Sequence, residues 1–217
     1  MSRLYSNMSV EEFEKGYFYA AELKAFAKKL GIDVGTLRKN EVESHIKAHL
    51  SSNRDSPLPK SVSNRKTNGN RDRLLPDSYI VNYVSDKKTK AFLMQEVSKR
   101  DPSIKNKSGQ WYWLNDWRKE QIRSNRKITY LELIDRLYEL MTNEGRLPRI
   151  PSTRFNNFIT DFLADPENDG ATRQEAFDEW ERLKKMPVQK NYQEYKKIAM
   201  TLTDQRQYHC NRKNISH

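Results

Sequence analysis

The sequence predicts a mainly α-helical protein, with an N-terminal helix–extended loop–helix module and a C-terminal multi-helix domain that includes one short extended segment. Three observations predict it. Apolar residues recur at i, i+3, i+4 and i+7 in several stretches, the period of one helix face. Ser9 with Glu12, Asn40 with Glu43, Thr129 with Glu132 and Thr172 with Glu175 have the three-residue spacing of N-terminal capping boxes. Gly31, Gly145, Asp165-Pro166 and Met186-Pro187 stand where those helical patterns stop, as C-terminal punctuation requires.

Phe13 and Tyr17 follow the Ser9 box at helical spacing, which predicts a short first helix. Leu23, Phe26, Ala27 and Leu30 then form one apolar face, closed by Gly31. Residues 32–38 carry Gly35 and no helical period, so they read as an ordered loop. The next helix is expected from Asn40, with Val42, Ile46 and Leu50 on its buried side. Two helices this short must bury their stripes against each other across the loop.

This order of parts resembles the SAP domain, a small helix–extended loop–helix module of DNA-binding proteins. The matching residues are Glu22-Leu23-Lys24, Ala27, Leu30-Gly31-Ile32, Gly35, Lys39, Val42 and Ile46. Gly35 and Lys39 are separated by Thr36, Leu37 and Arg38, so the loop is longer than the family pattern. Downstream, Arg154 to Ile159, Asp161 to Asp165, Arg173 to Ala176 and Trp180 are similar to the last part of bacterial SAP-domain proteins with a C-terminal helical domain of unknown function. The stretches around Lys90-Ala91-Phe92, Trp117 and Thr129 to Ile134 are similar to that family too. The resemblance implies association with DNA through the module, with Thr36, Arg38 and Lys39 approaching the backbone. It supplies no reaction.

Residues 51–73 have Leu58 and Val62 as their only apolar residues besides prolines, too few to offset chain entropy by burial. They read as a flexible basic linker. The expected organisation is therefore a module over 1–50, a linker over 51–73, a helical domain over 74–195 and a tail over 196–217. In that domain Tyr79 to Val84, rich in β-branched and aromatic residues, is the extended segment. Ala91 to Val97 reads as a helix. Trp111, Trp113 and Trp117 form the densest aromatic cluster; beside Arg118 and Lys119 they suit base stacking, but one-turn spacing of Trp113 and Trp117 favours a core role. Leu131, Ile134, Leu137, Tyr138 and Met141 are expected to face inward on the helix after Thr129. Phe155, Phe158, Ile159, Phe162 and Leu163 give the cleanest amphipathic stripe. Ala176, Phe177, Trp180 and Leu183 form the next, and Tyr192, Tyr195, Ala199 and Leu202 a last one.

The 217 residues carry 40 Lys/Arg against 29 Asp/Glu, a net charge of +11, whose usual meaning is a polyanionic partner. The charge is uneven: residues 1–50 hold +1, 51–76 hold +4, 77–150 hold +5 and 151–217 hold +1. The near-neutral module therefore needs help from the linker. No run of 18 apolar residues occurs, so no membrane span is expected, and neither is an export signal. Cys210 is alone, which fits a reducing cytoplasm, with the bacterial nucleoid as the site implied by the resemblance.

No phosphate-cradling glycine loop or nucleophile–base pairing is legible. His45 and His49, four apart, lack the glutamate of a zincin and a third ligand. A cleft assembled from distant residues, for example Asp116, Asp161 and Lys90, is left open. The expectation is a non-enzymatic protein without metal or cofactor that binds DNA, in duplex form, by backbone-dominated and weakly sequence-specific contacts. The expected contacts are Lys28, Lys29, Thr36, Arg38, Lys39 and Lys47 in the module, with Arg65, Lys66, Arg71 and Arg73 in the linker. The alternatives are an RNA partner, or a protein partner docked on the aromatic C-terminal domain.

Overall fold

The computed structural model describes residues 4–51 and 70–201, and its fold is mainly α. The helices are α1 (Val10–Lys15), α2 (Ala20–Lys29), α3 (Lys39–Leu50), α4 (Lys87–Arg100), α5 (Gln110–Arg123), α6 (Tyr130–Thr142), α7 (Arg154–Ala164) and α8 (Arg173–Lys185). A further helix, α9, covers 192–201. Among the described residues the expected extended segment forms no strand: Tyr79 pairs with Thr129 in an isolated antiparallel bridge, and Asn82 is a further bridge residue.

Of the described residues, 4–34, 38–51 and 151–201 form one compact unit, and 35–37 with 70–150 form another. This differs from the expected 74–195 domain, because the chain from 151 onward packs with the N-terminal helices. The Tyr17 ring stands nearly perpendicular to Trp180 of α8 with ring centres 5.1 Å apart, and Arg154 of α7 donates from Nη2 to Glu43 of α3 at 2.8 Å.

In the first unit, the Ser9–Glu12 box forms as expected at α1. α2 begins with Glu22 accepting from the Tyr19 N–H at 2.6 Å. It ends at Gly31, whose φ of 73° lets its N–H reach the Lys28 carbonyl at 3.1 Å and that of Ile32 reach Ala27 at 2.9 Å. α3 starts one residue earlier than expected. Its box is made by Glu41, which accepts from the Arg38 N–H at 2.7 Å, and not by Glu43, whose carboxylate is held by Arg154. Leu23 and Ala27 of α2, and Val42 and Ile46 of α3, are fully buried. Gly16 is required by close approach: a Cβ there would stand 2.2 Å from the Phe18 ring, which stacks on Phe13.

Phe158, Ile159 and Phe162 of α7 and Ala176, Trp180 and Leu183 of α8 form one core, flanked by Tyr17, Phe155, Tyr192 and Tyr195. Leu163 and Phe177, expected in those stripes, are exposed instead. Each lies next in sequence to a core residue, so the helix rotation of about 100° per residue carries it out of the buried face. Asp165 closes α7 by accepting from Tyr192 Oη and Lys196 Nζ, both at 2.7 Å. Chiefly through the Lys196 bond, its carboxyl is held down to about 2.

The second unit packs α4, α5 and α6 around Tyr83, Leu93, Val97, Leu114, Tyr130, Leu133, Ile134 and Leu137. The Thr129–Glu132 box forms. Leu131 is exposed, because the buried face of α6 runs through Tyr130, Leu133 and Leu140. Trp111, Trp113 and Trp117 are half-buried against the core. The deepest residues of α5 include the charged pair beside them: Arg118 lies over the Tyr83 ring at 4.4 Å and donates to Asn115 Oδ1 from Nε at 3.1 Å. Lys119 Nζ donates to the Thr36 carbonyl at 3.3 Å. Both are buried, which removes them from any base-stacking surface.

Candidate nucleic-acid interface

The expected contacts fall into three groups. Lys28 and Lys29, in the last turn of α2, are exposed, and among the described residues neither ammonium has a carboxylate partner. Arg73 is likewise exposed and unpaired among the described residues. These three present charge directly to solvent.

The second group is engaged within the protein. Lys39 Nζ lies 4.4 Å from the Tyr17 ring centre and 3.9 Å from Glu43, and burial pushes its pKa down. Lys47 pairs with Glu14 at 3.0 Å. Arg71 is not a free arm: its guanidinium grips Asp86 at 2.8 and 3.0 Å and donates to Thr89 Oγ1 at 2.7 Å. That grip, aided by the Thr89 N–H, holds the Asp86 carboxyl well below its usual range. Thr36 is exposed and belongs to the second unit, whereas the half-buried Arg38 belongs to the first. Arg65 and Lys66 form the third group and lie outside the described residues, as does most of the expected linker.

Charge divides sharply between the units. The described residues of the first unit hold 15 Lys/Arg against 16 Asp/Glu, a net −1. Those of the second hold 17 against 11, a net +6. The unit that contains α2 and α3 therefore has no surplus of its own. Its carboxylates are spent on caps and pairs: Glu22 and Glu41 cap α2 and α3, and Glu14 and Glu43 hold Lys47 and Arg154.

The first unit also contains a cleft of about 240 Å³, lined by Glu14, Glu43, Lys47, Arg154, Lys190 and Asn191 among others. Lys190 is 2% exposed, and its ammonium donates to the carbonyls of Met186 at 2.6 Å, Val188 at 2.5 Å and Lys15. Burial, with a smaller push from Arg154, lowers its pKa to about 8. All three of its protons are committed, so the side chain ties the end of α1 to the turn after α8. Nothing local in the sequence marks this lysine, because its partners are backbone carbonyls.

Other chemistry is placed as follows. His45 is half-buried and His49 exposed on α3, and among the described residues no group of three metal-binding side chains comes together. Asp116 and Lys90 belong to the second unit and Asp161 to the first. Lys90 lies 5.4 Å from the Trp111 ring centre. Among the described residues no helix is long and apolar enough to cross a membrane.

Comparison with protein-family models, with curated proteins and with solved structures finds no match for this chain.

Proposed function

We propose that the protein binds DNA through its phosphate backbone, with weak sequence preference. The observation that carries this reading is the charge division: a surplus of +6 confined to one unit creates a field that attracts a polyanion. The helix–loop–helix over α2 and α3, which resembles the SAP domain, adds Lys28 and Lys29 as solvent-facing cations. Lys39 and Lys47 serve mainly to hold that module together, because each already has an internal carboxylate. Phosphate contacts position a protein without reading bases, and no described element presents a row of side chains suited to base edges.

The test is a fluorescence-anisotropy titration of the full chain with duplex DNA, single-stranded DNA and duplex RNA at 50 and 200 mM salt. The reading predicts duplex DNA binding that weakens steeply with salt. RNA bound tighter than DNA at both salts would move the assignment to RNA. Absence of nucleic-acid binding at 50 mM would leave a protein partner as the better account.

A further inference from the structure

The surplus cations of the second unit are not spread evenly, and two stretches remote from the expected contact set converge. Residues 102–113 and 145–150 contain no Asp or Glu, and between them carry Lys105, Lys107, Arg146 and Arg149. One hydrogen bond and one close approach register one stretch against the other, and Lys107 is tied just ahead of the second, at the end of α6. Lys107 Nζ donates to the Asn143 carbonyl. Trp113 Nε1 donates to the Pro148 carbonyl at 2.9 Å. Ile150 Cδ1 lies 4.0 Å from where a Cβ on Gly109 would stand. Leu147 and Ile150 each precede a proline, which biases them to extended backbone.

We infer that this face, built from the loop before α5 and the chain after α6, is where a nucleic-acid backbone docks. The inference rests on the DNA-binding reading above and names residues that reading did not include. Lys105, Arg146 and Arg149 are exposed, and among the described residues Lys105 and Arg146 have no carboxylate partner. Asp101 and Glu144 are the two acids bordering the stretches, so the face keeps a net +2. Three extended residues from Arg146 to Arg149 reach about 10 Å, the axial rise of three phosphates on one strand at about 3.4 Å each. The tryptophan beside them is locked at its indole N–H and packs on the core. Held in this way, it offers nothing to insert into a lipid layer. Exposed cations beside a ring fixed at its indole N–H suit a regularly charged polymer.

The experiment measures the slope of log K against log salt for the full chain on one duplex DNA, comparing the parent with K105Q/R146Q and with K28Q/K29Q. Each lost phosphate contact flattens the slope by about 0.9, so K105Q/R146Q should flatten it by about 1.8 with an unchanged melting temperature. A parent that binds DNA and a K105Q/R146Q variant with the parental slope would overturn this inference and leave the DNA-binding reading standing. A parent that fails to bind at 50 mM salt would overturn both. Poly-glutamate that displaces DNA as well, charge for charge, would overturn the assignment of this face to nucleic acid.

Discussion

Arg154 Nη2 donates to Glu43 Oε2 at 2.8 Å across 111 residues of sequence, and this pair joins α7 to α3. The Glu43 side chain is only 9% exposed, so its charge depends on the pair for compensation. Lys39, at 3.9 Å, is a weaker second partner.

Arg154→Met should therefore destabilise the protein by about 2 kcal/mol, the cost of removing a charged hydrogen bond from a buried carboxylate. Glu43→Gln combined with Arg154→Met should recover part of that loss, since the stranded charge is gone. Chemical denaturation of the three variants checks it. A single variant as stable as the parent would mean that Lys39 suffices.

Lys190 predicts an unusual alkaline response. Its folded pKa of about 8 lies below the ordinary lysine value of 10.5, so between those values the unfolded chain binds a proton that the folded chain lacks. Stability from this group is present in full above about 10.5 and is lost as pH falls through about 8. The unfolding free energy of the parent minus that of Lys190→Met should rise by about 2 kcal/mol from pH 7.5 to 10, at about 1.4 kcal/mol per pKa unit. The subtraction removes the shared titration of tyrosines and other lysines. A difference that stays flat or falls over this range would contradict the burial argument.

The tryptophans separate by depth. Trp180 is 2% exposed and touches the rings of Tyr17, Phe155 and Phe158, so Trp180→Ala should cost about 3–5 kcal/mol. Trp113 is half-buried with one hydrogen bond to Pro148, so Trp113→Phe should cost only about 1 kcal/mol. Thermal melts of both variants test the ranking. Equal losses would show that Trp113 carries more of the core than its exposure indicates.

Much of the fold was legible because local chemistry encodes it. The Ser9, Thr129 and Thr172 boxes all form, and Gly31 adopts the positive φ that its place predicts. What was not legible depends on partners far away in sequence. The Asn40–Glu43 box failed because Arg154 takes Glu43, and the nearer Glu41 caps the helix instead. Arg118 and Lys119 look like surface cations by residue type, yet a tyrosine ring and a carbonyl from remote segments cover them. The assignment of α7 and α8 to the N-terminal helices has the same origin, since hydrophobic periodicity names a buried face without naming what buries it.

The same limit applied to the candidate site. Counting charges along the chain showed a basic middle, and the structure shows that Lys39, Lys47 and Arg71 are neutralised internally. Lys28 and Lys29 remain open, and nothing local in the sequence joins Lys105 to Arg146, because their stretches meet only through the fold.

The most direct measurement is the affinity of the full chain for two duplexes of unrelated sequence across 50–200 mM salt. Backbone binding by three or more cations predicts equal affinities and a slope of about −2.7 or steeper on both. No binding at 50 mM salt, or strong discrimination between the duplexes with a flat salt response, would contradict it.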